Sequence, residues 1–297
     1  MTMHHCLLHD TVAPMRHGFL LVDKPKGLTS HDVVAAVRRQ LSEKDIGHLG
    51  TLDPLATGLL VLAVGKKALK VVELFSDLSK TYDASVLFGA VSTTYDAEGT
   101  IERREPPKGW MVPDEIIIQC MIADRFVGKI QQVPPAYSAI HIGGERAYHK
   151  ARQGRGVNIP PREVEITSCD ILSYSYPKLA LRVACGSGTY IRSLAHDLGD
   201  LLKCGGYLEA LRRTSVGAWS VEDAVSLDRV SWAQVIPLKE ILRTFAKCEL
   251  SQEEFAHLSC GRDIAGEVTY PAIGWFDDLP VALLEMKNAM VHARKVL

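Results

Sequence analysis

Residues 58–65 read GLLVLAVG, an unbroken apolar run that stops at Lys66 and Lys67. A strand with one wet face alternates polar and apolar residues, whereas a strand with no wet face does not. This run therefore predicts a strand covered on both sides, and the need for two covering layers limits the fold more than any other feature. It is far shorter than the ~20 residues a membrane helix requires. Just before it, Gly47, Gly50 and Pro54 restrain a loop whose one carboxylate is Asp53.

The rest of the 297-residue chain supplies candidate layers. GFLLVDKPKG (18–27) reads as a strand ending in a turn. Thr29 and Asp32 then form a capping pair for a helix whose inner face carries Val33, Val34, Val37 and Leu41. A short helix is expected over 66–76, and TYDASVLFG (81–89) follows with the period of two that marks a strand. YDAEGT (95–100) is a turn, and Pro113 and Asp114 open a helix running through Ala123. Residues 124–156 are glycine-rich, basic and without periodicity, which predicts a long functional loop. REVEITSCDIL (162–172), KLALRVACG (178–186) and GYLEALRRTSVGAWS (206–220) read as strands. A helix from about Thr189 to Lys203 lies between the last two, with Ile191, Leu194, Ala195 and Leu198 on one stripe. A linking helix is expected near 231–244. Ser251 and Glu254 form a second capping box, and AIGWF, VALLE and MVHARKVL predict three short strands. Strands and helices do not alternate strictly, so the class is α+β with a mixed, mostly antiparallel sheet flanked by helices, not a doubly wound sheet. The expected division is a tail at 1–16, a main domain at 17–240, and a small β-rich module at 245–297.

Charge and cysteines narrow the chemistry. Net charge is −1, yet residues 124–155 carry six basic and two acidic groups, while 221–254 carry four basic and seven acidic. Such asymmetry suits a polyanion held on one face, and equally a pair of solvated surface segments. Seven cysteines without a CxxC pair favour reduced thiols in a cytoplasm over disulfides or zinc. The N-terminus lacks the pattern of a signal peptide. Neither GLLVLAVGKK nor CGSGTYIRS meets the spacing of a phosphate or dinucleotide loop, and no HExxH or GxSxG occurs. Metal and cofactor chemistry thus have no motif, and the reacting groups must be side chains. A carboxylate such as Asp53, held beside a ribose, attacks or stabilises an anomeric carbon; an aspartate capping a loop turn satisfies the same spacing.

Five blocks then resemble, in order, those of the TruB family of tRNA pseudouridine synthases: LLVDKPKGLTSHDVVAAVR (20–38), GHLGTLDPLATGLLVLAVGKKALK (47–70), KTYDASVLFGAVSTTYDAEG (80–99), PPAYSAIHIGGERAYHKARQG (134–154) and CGSGTYIRSLAHDLGDLLKCGGYLEALRRTSVG (185–217). The resemblance implies the pseudouridine synthase fold and isomerisation of uridine 55 in the T loop of tRNA by base flipping. It implies Asp53 as the catalytic residue and His48 as the residue positioning the substrate loop. Tyr82 would stack on the flipped base, Tyr190 and Leu211 would line the nucleotide pocket, and Arg192 would pair with Asp53 bidentately and keep it ionised. Residues 124–156 would be an RNA-gripping thumb, with Lys24, Arg146, Lys150 and Arg152 meeting RNA; Arg212 and Arg213 are candidates for phosphates. The small module resembles a PUA-like RNA-binding domain, and a purely structural cap fits it nearly as well. No cofactor or metal is implied, the partner is the tRNA T arm, and the chain would be a cytoplasmic monomer. A non-catalytic tRNA-folding protein would use the same grip. Leu49 stands where many of the family carry a small or polar residue, which bears on the packing of the loop.

Overall fold

The structure, a computed structural model, describes residues 17–137, 141–142, 145–146 and 159–297. The expected tail at 1–16 lies outside the described residues. In chain order the principal strands are β1 (Gly18–Lys24), β2 (Thr57–Val64), β3 (Lys80–Phe88), β4 (Gly128–Gln132), β5 (Arg162–Ser175), β6 (Lys178–Cys185) and β7 (Gly206–Val216). The helices packed on them are α1 (Ser30–Leu41), α2 (Glu115–Arg125) and α3 (Ile191–Leu201). The strands form one sheet in the order β1-β2-β7-β3-β6-β5-β4. Every neighbouring pair is antiparallel except β2 and β7, which run parallel. The sheet is mixed and mostly antiparallel, as the sequence predicts.

Alternate residues of β1 and β2 enter two different cores, which is why neither strand alternates. Leu20, Val22, Leu60 and Leu62 face one core, shared with Val33 and Val37 of α1 and Leu194 and Leu198 of α3. Phe19, Leu21, Leu59 and Val61 face the other, shared with Val71, Phe75 and Leu242. The capping box of α1 forms as expected, with Thr29 N–H donating to Asp32 at 2.8 Å and Asp32 N–H to Thr29 Oγ1 at 3.0 Å.

One edge of β2 has two partners. Residues 57–58 pair with Arg212 and Arg213 of β7, whereas residues 62–64 pair with the short strand Ile46–His48. The chain between that short strand and β2 is the loop that carries Asp53. β7 reaches β2 only because residue 58 is glycine: φ is +98°, and a Cβ there would lie 2.2 Å from the Arg213 carbonyl oxygen.

The C-terminal strands are β8 (Ala246–Glu249), β9 (Ala272–Phe276), β10 (Leu279–Lys287) and β11 (Met290–Val296), joined in that order into a second sheet; α4 (Gln252–Ser259) carries the second capping box. Ile273, Trp275 and Leu283 pack into the core that holds Phe19 and Leu59, so the small sheet covers one face of the large one.

Four expectations change in detail. The helix over 66–76 splits into Lys66–Lys70 and a 3-10 turn at Val72–Phe75. The helix over 231–244 reduces to Leu238–Leu242, because Ile236 pairs with Phe19 and Pro237 has no N–H to continue a helix backwards. β8 was not anticipated; it joins in parallel with β9. The segment 124–156 is not all loop, since β4 forms the outermost strand beside β5, where a polar GKIQQ can turn alternate residues to solvent.

Because both sheets share one core, truncating Ile273, which is fully buried, to alanine should cost about 2–5 kcal/mol. Calorimetry should still record a single unfolding transition; two separate transitions would show that the small sheet is not coupled to the large one.

Candidate active site

The loop 49–56 is tied down on both sides of Asp53. The buried Ser30 hydroxyl accepts from Leu52 N–H at 2.8 Å and donates to Leu52 O at 3.0 Å. Gly27 N–H donates to Pro54 O at 2.8 Å, and Ala56 N–H closes a turn on Asp53 O at 3.0 Å. Leu49, Leu52 and Leu55 are buried, and Leu49 fills the core beneath with Phe19 and Leu59. An apolar residue at 49 therefore anchors the loop from below.

Two cations expected at RNA are instead inside the protein. Lys24 is 0% exposed. Its Nζ donates to the carbonyls of Leu28 at 2.6 Å, Pro25 at 3.0 Å and Pro54 at 3.4 Å, clamping the turn after β1 to the Asp53 loop. Burial is the main reason its pKa falls, with Asp53 and Glu98 acting against that trend. Arg213 is 1% exposed. Its Nε donates to Leu59 O at 2.7 Å and its Nη2 to Gly50 O at 3.1 Å. The guanidinium thus completes the edge of β2 where no strand pairs, satisfying carbonyls that would otherwise be orphaned. Arg212 is held bidentately by Asp23, at 2.8 and 3.0 Å. Lys24 and Arg213 are therefore not free for phosphate, whereas Arg212 keeps 42% of its side chain exposed.

Arg192 stands in the first turn of α3 and is 6% exposed. It divides its charge between two acids: Nε lies 3.1 Å from Asp53 Oδ2, and Nη1 lies 3.2 Å from Asp96 Oδ2. Nη1 also donates to Thr94 O at 3.3 Å and Nη2 to Tyr137 O at 3.1 Å. The bidentate Arg192–Asp53 pair expected from the sequence is replaced by this bridge, because a second carboxylate occupies the other side of the guanidinium. Asp96 is buried in the turn 92–99, where its Oδ1 accepts from Thr94 Oγ1 at 2.5 Å and Glu98 N–H at 3.0 Å. Tyr95, in the left-handed region at φ +64°, is held there by stacking on His196, with ring centroids 3.8 Å apart. The entry to α3 is fixed by the buried Gln132 at the end of β4. Its side chain accepts from Tyr190 N–H at 2.8 Å and donates to Tyr190 O at 2.9 Å.

Asp53 has its pKa raised. Lost hydration is the largest cause, Arg192 opposes it, and Asp96 reinforces it. The side chain keeps 38% exposure through the cavity mouth, yet protein surrounds it closely enough for desolvation to outweigh the arginine. Arg192 therefore restrains a carboxyl that burial pushes towards its neutral form, and does not by itself hold Asp53 in the ordinary range.

All six residues expected to touch substrate, His48, Asp53, Tyr82, Tyr190, Arg192 and Leu211, line one cavity of about 630 Å³. Tyr82 lies opposite Arg213 on β7 and Val183 on β6, and burial raises its pKa above all other causes. His48 accepts at Nδ1 from Gly50 N–H at 3.4 Å and meets His31 edge to face. Burial lowers its pKa, followed by the charges of His31 and Arg213, so the ring is neutral near pH 7. Asp96 and Gln132 are the residues the sequence did not reveal. YDAEG carries only the signature of a turn, and the one further signal, that a buried arginine needs countercharge, does not say from where. Lys150 and Arg152 lie outside the described residues; Arg146 belongs to the short strand Glu145–Arg146, paired with His141–Ile142, and its side chain also lies outside them. Among the described residues no group of three His, Cys, Asp or Glu side chains is arranged to hold a metal ion.

A family model described as TruB family pseudouridylate synthase (N terminal domain) matches residues 38–191, and one described as tRNA pseudouridylate synthase B C-terminal domain matches 192–245. The tRNA pseudouridine synthase B of Xylella fastidiosa is 41% identical over 285 residues, 91% of this chain and 92% of that protein. Its counterpart from Mycobacterium bovis is 39% identical over 86% of this chain and 85% of its own. A chain in the crystal structure of a Cbf5-Nop10-Gar1 complex superposes with a TM-score of 0.67 at 25% identity, covering 94% of this chain and 84% of that one.

The two neighbours of Asp53 should move its titration in opposite directions. Followed by carboxyl NMR, Asp96→Asn should lower the Asp53 pKa by removing a like charge, and Arg192→Gln should raise it further; shifts of the same sign would contradict the shared bridge.

Proposed function

The chain belongs to the TruB family of pseudouridylate synthases and is a tRNA pseudouridine synthase; from that premise we propose that its target is uridine 55 of the T loop and that Asp53 initiates cleavage of the glycosidic bond. Pseudouridine formation breaks the bond from C1′ to N1, turns the uracil and joins C1′ to C5. The base is both leaving group and returning nucleophile, so no water is consumed and no electron carrier is required. One carboxylate at the ribose suffices, provided it is fixed and water is kept away.

The observation that carries this reading is the bridge Asp53–Arg192–Asp96 on the wall of a cavity also lined by Tyr82. A uridine inside a stacked loop must be extruded before any side chain reaches its C1′, and a ring in the cavity offers the stacking that it gives up. Tyr82 is that ring, Leu211 and Tyr190 border the pocket, and neutral His48, at the strand end just before the Asp53 loop, positions the RNA strand. Filling the cavity removes the solvent that still reaches Asp53, which strengthens its pairing with Arg192 and its electrostatic effect on the bound nucleotide. The thumb, including Arg146, Lys150 and Arg152, supplies phosphate contacts, and the module at 245–297 acts as a PUA-like RNA-binding domain. In this reading the protein works as a cytoplasmic monomer without metal.

Incubation of unmodified tRNA transcript with wild type and Asp53→Asn, followed by mapping of pseudouridine, tests the assignment. Wild type should modify position 55, and the variant should lose at least about a thousandfold in rate while still binding. Equal product from both would leave a tRNA-folding protein that does not use Asp53. Affinity should fall steeply with added salt, and a flat salt dependence would remove the phosphate grip.

A further inference from the structure

Four cationic side chains line the cavity: Lys80, Arg162, Arg192 and Arg213. Three are occupied. Lys80 donates to Leu78 O at 2.6 Å and Ser76 O at 3.4 Å, Arg213 to backbone carbonyls, and Arg192 bridges two carboxylates. Arg162, the first residue of β5, differs. Its guanidinium makes no hydrogen bond or ion pair among the described residues, and its Nε is buried without a hydrogen-bond partner among them; the Arg192 Nε also lacks a hydrogen bond but has Asp53 beside it at 3.1 Å. A buried charged donor without an acceptor costs several times what an ordinary hydrogen bond returns, so such a group usually marks a missing anion.

The guanidinium nevertheless lies over an aromatic ring. Its central carbon lies 4.7 Å from the centre of the Tyr190 ring, whose backbone Gln132 locks from the other side. Gly188 leaves room for it: φ is +84°, and a Cβ at that position would lie 3.1 Å from Arg162 Nη2. A planar fork lying over the Tyr190 ring, with its donors unfilled and on the lining of a cavity that receives a nucleotide, is suited to a tetrahedral oxyanion. We propose that Arg162 binds a phosphodiester of the substrate strand next to the extruded uridine, a contact that draws the backbone into the cavity behind its base. The proposal rests on tRNA being the substrate.

Arg162→Gln and Arg162→Lys separate a phosphate contact from a prop for Tyr190. Binding of unmodified tRNA is measured across a salt series, and kcat and KM for pseudouridine formation are measured at low salt. Arg162→Gln should weaken tRNA binding about tenfold and reduce the salt slope by about 0.7, the contribution of one single-strand phosphate. KM should rise by a similar factor, with kcat within about threefold of wild type. Arg162→Lys should recover the slope because it keeps the charge, although not the stacking. An unchanged slope in Arg162→Gln with lowered kcat would overturn the proposal in favour of a Tyr190 support, and unchanged slope and kcat together would leave Arg162 with no part in substrate binding. If wild type binds tRNA with the expected slope but forms no pseudouridine, the isomerase reading fails while the phosphate contact stands. Thermal melts of both variants guard against loss of fold.

Discussion

A guanidinium sealed from water has to be neutralised where it stands, and Arg192 meets that need with two carboxylates from distant parts of the chain. Asp53 comes from the loop before β2 and Asp96 from the turn after β3, and a third contact is the Tyr137 carbonyl beyond β4. Removing any one contact leaves charge uncompensated in a poorly hydrated place, which is costly. The requirement therefore fixes three separate segments against the first turn of α3. It also sets the chemistry, because Asp53 shares its countercharge with a second acid and is desolvated at once. Its raised pKa is the sum of those conflicts.

The sheet makes this convergence possible by leaving a gap. β2 changes partners along one edge, and the Asp53 loop fills the space between them. Backbone carbonyls exposed by the gap are not abandoned: Arg213 takes Leu59, and Leu49 N–H takes Val61 at 2.9 Å. On the other side, Lys24 gathers three carbonyls from two loops. Two cations thus serve as backbone glue around one acid. Their charges also lie near Asp53 and Tyr82, so they contribute to the potential of the cavity without touching solvent.

How much of this was legible depends on whether the signal was local. The capping box at Thr29, the doubly covered β2 and the alternation of β3 are statements about neighbouring residues, and each is found as read. The candidate acid was legible because Gly47, Gly50 and Pro54 sit beside it in sequence, whereas the other residues lining its cavity were legible only through the resemblance to the TruB family. Asp96 was not, since its importance arises only where α3 presents Arg192 to it. Lys24 and Arg213 were misjudged for a related reason: a positive charge in a sequence does not say whether water or carbonyl oxygens surround it. The helix expected at 231–244 failed at Pro237, where pairing of Ile236 with Phe19 outweighs helical propensity. β4 was hidden because an edge strand of mostly polar residues has no apolar signature.

The order of strands has a consequence for the way such a chain is made. β7 is the last of the seven principal strands of the large sheet to leave the ribosome, yet it lies between β2 and β3 and is what joins them. Until residues 206–216 are synthesised, the part of the sheet that bears Asp53 and the part that bears Tyr82 have no common strand. An interrupted translation product would own every residue of the TLDPLAT loop and still have no chamber in which to place a base. The two halves of the chamber are joined only by the insertion of one central strand.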